Sequence, residues 1–135
     1  MLEEDYCSYE VAKLLKEKGF LKGVDLRITQ NLSFYDNIGL HYNLNKWYDS
    51  LIQDKINFVV APTHQMAMKW LREVHKLTFI ISPQWAEGDM RNPCRWYWEI
   101  RGLEDINIDV YNNPLCNTYE EAVESALKYS LENLI

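Results

Sequence analysis

Two stretches of the chain open alike, Ser8-Tyr9-Glu10-Val11-Ala12 and Thr118-Tyr119-Glu120-Glu121-Ala122. Each sets a hydroxyl residue where a helix N-cap belongs and a glutamate in the first turn behind it. The hydroxyl oxygen accepts a backbone N–H that the first turn leaves without a partner, and the carboxylate meets the positive end of the helix dipole. Pro62-Thr63-His64-Gln65 makes a third start midway. Helix starts at these three places leave stretches of roughly forty residues between them, which suits helices packed on a small sheet.

The residues behind each start bear this out. Val11, Leu14 and Leu15 share a face, and Gly19 stands where a left-handed C′ residue closes a helix, with Phe20 as its apolar contact. Ala67, Trp70, Leu71 and Val74 follow i, i+3, i+4, i+7, which predicts a helix to about His75 with Trp70 turned to the core and His64 at the surface. Thr118 and Glu121 form a T-x-x-E capping box, and Val123, Ala126, Leu127, Ser130, Leu131 and Leu134 continue one face. The two S/T-Y-E-x-A starts are read as convergent capping, because nothing downstream of them repeats.

Between the helices the strand signals are short. Val24–Ile28 alternates like a strand, Phe34-Tyr35 and Leu40–Tyr42 are strand fragments, and Trp47–Ile52 has the make-up of a helical turn. Asn57–Val60 has strand composition. Leu77–Ser82 is a β-rich run ended by Pro83, and Trp96–Ile100 and Ile106–Val110 alternate after it. The last three runs predict an antiparallel meander with one buried face. The expected fold is therefore α+β: a small antiparallel sheet of about three to five strands packed against three amphipathic helices, as one domain over residues 1–135.

Composition sets limits on function. A chain of 135 residues can bury roughly two thirds of its extended surface without disulfide or metal help. Residues 1–103 balance 13 basic against 13 acidic side chains, so the net charge of −6 sits wholly in residues 104–135, where Lys128 faces seven acids. That sign is wrong for a phosphate backbone, and nucleic acid is not an expected partner. Cys7, Cys94 and Cys116 form an odd set without CxxC spacing, and Met1-Leu2-Glu3-Glu4-Asp5 lacks the basic start and apolar run of a signal peptide. The expectation is a cytoplasmic protein with free thiols and no membrane span.

Catalytic and metal signatures are weak. His64 and His75 stand eleven apart, not one helical turn, and the third histidine, His41, lies far from both. Asp105-Ile106-Asn107-Ile108-Asp109 begins like a calcium loop, but Val110 stands where the glycine belongs and Cys116 where the bidentate acid belongs. No GxSxG, GxGxxG or P-loop pattern occurs. No metal and no cofactor are implied, and no catalytic residues are assigned. The aromatic residues are the remaining signal. Trp96 and Trp98 share a strand face and are expected to cover the helices, whereas Trp47, Trp85 and Tyr97 are the candidates for contact with a ligand or partner.

Ser8–Leu15 resembles the opening helix of MerR-type helix-turn-helix regulators, but Gly19-Phe20-Leu21-Lys22-Gly23 leads to strand-like sequence where their recognition helix follows. Three segments together, Tyr6–Phe20, Ala61–Glu73 and Tyr119–Ile135, resemble a family of short uncharacterised proteins carried by phages and prophages of gut bacteria. The resemblance covers about a third of the chain and implies a cytoplasmic accessory protein of a mobile element, with no catalytic residues to carry over. The expected function is a non-enzymatic binding or interaction module that self-associates or takes a protein partner. The alternative is a small-ligand or nucleotide-binding protein with an aromatic-lined pocket.

Overall fold

The computed structural model describes residues 5–29, 32–84, 95–112 and 115–135. In chain order they form α1 (Tyr9–Glu17), β1 (Leu32–Tyr35), β2 (Leu40–His41), α2 (Leu44–Gln53), β3 (Val59–Pro62), α3 (His64–Val74), β4 (Leu77–Gln84), β5 (Arg95–Gly102), β6 (Asp109–Tyr111) and α4 (Tyr119–Asn133). The protein is α+β, with four helices and two small antiparallel sheets among the described residues. The chain divides into two compact units, Met1–Ala67 and Met68–Ile135, and the division falls inside α3.

Both hydroxyl caps form. Ser8 Oγ accepts the N–H of Val11 at 3.2 Å, and Thr118 Oγ1 accepts that of Glu121 at 3.1 Å. The reciprocal arm of the second cap is displaced by one residue, since Glu121 Oε2 accepts from Asn117 N–H rather than from Thr118.

The first unit is built on the sheet order β2-β1-β3. Phe34 pairs with His41 on one side and Val60 on the other. α1 packs on β3, burying Val11, Ala12 and Leu15. α2 packs on β1, and Leu32, Phe34, Leu44 and Leu51 make a buried apolar cluster. Each such leucine stabilises the fold by about 1.5–3 kcal/mol relative to an exposed one. The chain before α1 is tied to the end of β3, with Cys7 N–H donating to Pro62 C=O and His64 N–H to Asp5 C=O, both at 2.9 Å. The expectation for His64 is corrected: it is only 5% exposed, and its backbone N–H is taken by the incoming chain.

The segment read as a strand at Val24–Ile28 is a turn. Asp25 Oδ1 accepts the N–H of Arg27 at 3.0 Å, its carboxylate pairs with the Arg27 guanidinium, and Thr29 Oγ1 donates to its carbonyl. An aspartate that bonds its own following backbone competes with strand pairing, so the alternation of Val24, Leu26 and Ile28 does not decide the outcome. Leu26 packs on the apolar cluster, and Ile28 is exposed.

In the second unit the order is β4-β5-β6. Leu77, Trp98 and Ile100 pack with Cys116, Ala122 and Ala126 in a buried cluster, with α4 on one face of the sheet. Trp96 and Trp98 cover the helix as expected. Trp98 Nε1 donates to Ser125 Oγ at 3.0 Å, and the Trp96 ring meets Tyr119 edge-on. Two boundaries differ from the sequence reading. β4 runs through Pro83 to Gln84, which is possible because it stands at the end of the strand order and pairs on that side only with β5. The strand predicted from Ile106 starts only at Asp109, because Asp105 Oδ1 captures the N–H of Asn107 in a turn and leaves Ile106 92% exposed.

α1 and α2 end in the same way. Past α1, Gly19 N–H donates to Lys16 C=O and Phe20 N–H to Leu15 C=O; past α2, Lys55 N–H donates to Ile52 C=O and Ile56 N–H to Leu51 C=O. Both are Schellman motifs, which need a left-handed residue at C′. α1 supplies glycine there, whereas α2 uses Lys55 at φ 54°, and Lys76 beyond α3 stands at φ 56°. A side chain in this region costs roughly 1–2 kcal/mol. Lys55→Gly and Lys76→Gly are each expected to raise stability by about 1 kcal/mol in urea unfolding. A loss of stability in both would show that the lysine side chains make contacts outweighing the backbone strain.

Candidate functional site

The two Schellman turns of the first unit also shape a cavity within it. Beyond each helix the C″ residue folds back, and Phe20 and Ile56 meet Leu21, Leu26, Phe58 and Val60 around a half-open cavity of about 460 Å³. That volume falls in the range of roughly 300–1,000 Å³ typical of small-molecule sites. Leu21 lies in the left-handed region at φ 62°, a conformation a leucine holds only when its surroundings over-determine it. Its side chain packs on the cluster of Leu32, Phe34, Leu44 and Leu51, and burial there offsets the backbone cost.

A second cavity of about 200 Å³ shares Lys16, Asn57 and Phe58 with the first. Its wall is polar, drawn from Tyr9, Tyr35, Asp36 and Asn37. The β1–β2 hairpin positions this wall. Asp36 Oδ1 accepts the N–H groups of Ile38 at 2.8 Å and Gly39 at 3.1 Å, and Asp36 Oδ2 lies 2.9 Å from His41 Nε2. Tyr35 is held from two sides, by donation of its hydroxyl to Cys7 C=O at 2.8 Å and by the edge-to-face Tyr9 ring at 5.8 Å. The two spaces adjoin at Lys16, Asn57 and Phe58, which line both, and the walls are mainly apolar in the larger and polar in the smaller; together they are called the cleft.

The charge of the cleft follows from which groups are already engaged. Backbone N–H groups of Ile38 and Gly39, and then His41, hold the Asp36 carboxyl below its ordinary value of 3.8. Its Oδ1 is committed to its own turn, and its Oδ2 faces His41 on β2. Lys16 and Lys22, on the larger cavity, have no carboxylate partner among the described residues.

The residues singled out from the sequence are not gathered here. Trp47 lies on α2, 54% exposed, and does not line the cleft. Tyr97 lies on β5 in the second unit, on the sheet face opposite Trp96 and Trp98. Its ring is 6.4 Å from Tyr111, and burial together with the Glu99 and Asp109 charges pushes its hydroxyl pKa up. Trp85 falls outside the described residues, as does Cys94. Most residues of the larger cavity were missed because residues 19–22, Leu26 and residues 56–58 lie in the chain beyond helices rather than in elements. The Gly19-Phe20 cap was the one visible sign; Lys55-Ile56 carries no glycine to announce the matching turn.

One other pair of chemical groups comes together in the first unit. The Cys7 thiol and a His64 ring nitrogen lie within 4.8 Å, although 57 positions separate them in sequence. A thiol beside an imidazole is the composition of a nucleophile and its base. Both side chains are sealed from solvent, at 0% and 5% exposure, so a substrate atom has no approach to the sulfur in this conformation. Cys116, in the second unit, is also buried, and burial pushes its thiol up. Neither thiol has the open approach of a reactive cysteine.

No protein-family model, curated protein or solved structure matches the chain. No helix among the described residues is long and apolar enough to cross a membrane.

Asp36 gives the polar wall a pH dependence with a definite sign. Its folded pKa is depressed, so its stabilising effect is complete above about pH 3.8 and is lost as pH falls through the lower folded value. Asp36→Ala is expected to unfold at lower urea than the parent at neutral pH, with the gap closing as pH drops below 3.8. A gap independent of pH would show that the ionised carboxylate does not hold the hairpin.

Proposed function

We propose that the protein is a binding module whose first unit takes a small, largely apolar molecule in the cleft between the ends of α1 and α2. The observation that carries this reading is the 460 Å³ cavity walled by Phe20, Leu21, Leu26, Ile56, Phe58 and Val60 and continued by a polar compartment. An apolar wall with a few polar groups at one end is the usual composition of a small-molecule site. It also accounts for the left-handed Leu21, whose strained backbone turns an aliphatic side chain into the wall instead of leaving a gap. Of the two functions expected from the sequence, the cavity favours the small-ligand alternative, with Phe20 and Phe58 as its aromatic residues in place of Trp47, Trp85 and Tyr97.

The neutral dye N-phenylnaphthylamine, which fluoresces on leaving water, tests the reading. It is expected to bind saturably with one site per chain. Leu26→Trp, which fills the cavity from a turn residue, abolishes the signal, whereas Trp47→Ala and Tyr97→Ala leave it unchanged. Binding that survives Leu26→Trp and is lost with either alanine variant would move the site to the exposed aromatics. No saturable binding would contradict the proposal.

A further inference from the structure

We infer that the occupant of this cleft is an amphipathic anion, a molecule with an apolar body and a single carboxylate-like group, held with its charged end at Lys16. The inference rests on the reading of the cleft as a ligand site and adds the chemical class of the ligand.

Three features of the cleft lead to it. The first is its division. A wholly apolar molecule would leave the compartment of Tyr9, Tyr35, Asp36, Asn37 and Asn57 unused, and a wholly polar one would forfeit the wall built by Phe20, Ile56 and Phe58. Only a molecule with two unlike ends matches both parts.

The second is the position of Lys16, which lines both cavities and so stands where the body and head of such a molecule meet. Lys22 adds a second positive charge on the larger cavity. The one acid in either wall, Asp36, lines the smaller cavity, with Oδ1 accepting from Ile38 and Gly39 and Oδ2 beside His41, and it forms no ion pair with Lys16 or Lys22 among the described residues. Asn57, at the same junction, offers an amide N–H₂ donor that an anionic oxygen can accept.

The third is a competing explanation that the magnitudes weigh against. Lysines near the end of a helix also compensate its dipole, and both α1 and α2 end at this cavity. Each helix end carries about half a negative charge. The carbonyls of Leu15 and Lys16 at the end of α1, and of Leu51 and Ile52 at the end of α2, already accept N–H bonds in the two Schellman turns. Two full positive charges stand against two partial negative ones and the Asp36 carboxylate, so the positive charge is local to Lys16 and Lys22 and is not a net charge of the whole cleft. A cationic ligand would meet like charge at the junction.

Three molecules of equal chain length separate the possibilities: decanoate, decanol and decylamine, each used to displace N-phenylnaphthylamine. Decanoate is expected to displace the dye at about one tenth of the decanol concentration, with decylamine the weakest. Lys16→Met keeps an unbranched side chain of nearly the same length and removes its charge. In this variant the dye still binds and the preference for decanoate over decanol disappears, while Lys22→Met reduces it in part. Equal displacement by decanoate and decanol, a preference that survives Lys16→Met, or strongest displacement by decylamine would each overturn the inference while leaving the cleft a ligand site. Failure of the dye to bind the parent protein would instead remove the reading on which it rests.

Discussion

A helix cannot simply stop. Its last carbonyls have no partners further along the helix, and a buried end must find donors for them elsewhere. In the first unit both α1 and α2 meet this demand with the following backbone, reversing through a left-handed residue so that the next two N–H groups point back. The reversal also fixes a side chain. The residue after the left-handed one must fold toward the helix it leaves, which places Phe20 and Ile56 at one cavity. The rest of the site depends on this pair of turns: the apolar wall, the strained Leu21 that extends it, and Lys16, which stands in the last turn of α1 and reaches both compartments.

The polar compartment has a separate cause. It is a product of the β1–β2 hairpin, where Asp36 binds the backbone of its own loop and so sets Tyr35 and Asn37 in the wall. Tyr35 is in turn fastened to Cys7, in the segment that runs beside β3. Local turn chemistry therefore positions both halves of the cleft, and the buried cluster of Leu32, Phe34, Leu44 and Leu51 supplies the rigid floor beneath them. The second unit is organised differently. There α4 covers one sheet face through Trp98, Ala122 and Ala126, and the opposite face carries Tyr97, Glu99 and Tyr111.

The sequence showed the elements better than the site. The caps at Ser8 and Thr118, the end of α1 at Gly19, and the inward face of Trp96 and Trp98 were readable because each follows from one residue type in one local setting. Alternation was the weaker guide. Val24–Ile28 and Ile106–Val110 both alternate, and in each an aspartate, Asp25 or Asp105, turns the chain by bonding a backbone N–H two residues on. His64 was misplaced because its neighbours, Asp5 at its N–H and Cys7 beside its ring, are more than fifty positions away in sequence. The cleft was hidden for a related reason. Its walls come from residues 9–26 and 35–60, and only the fold brings these together. Exposed tryptophan in the sequence drew attention to Trp47, whereas the structure uses phenylalanine and aliphatic side chains at the cavity.

The most direct measurement of the central claim is a titration of nitrogen-15-labelled protein with decanoate, followed by amide chemical shifts. The account predicts saturable shifts at residues 16–26, 35–37 and 56–60, the two walls of the cleft. Shifts centred on Trp47, or on the sheet face of Tyr97 and Tyr111, would contradict it, as would a spectrum that decanoate leaves unchanged.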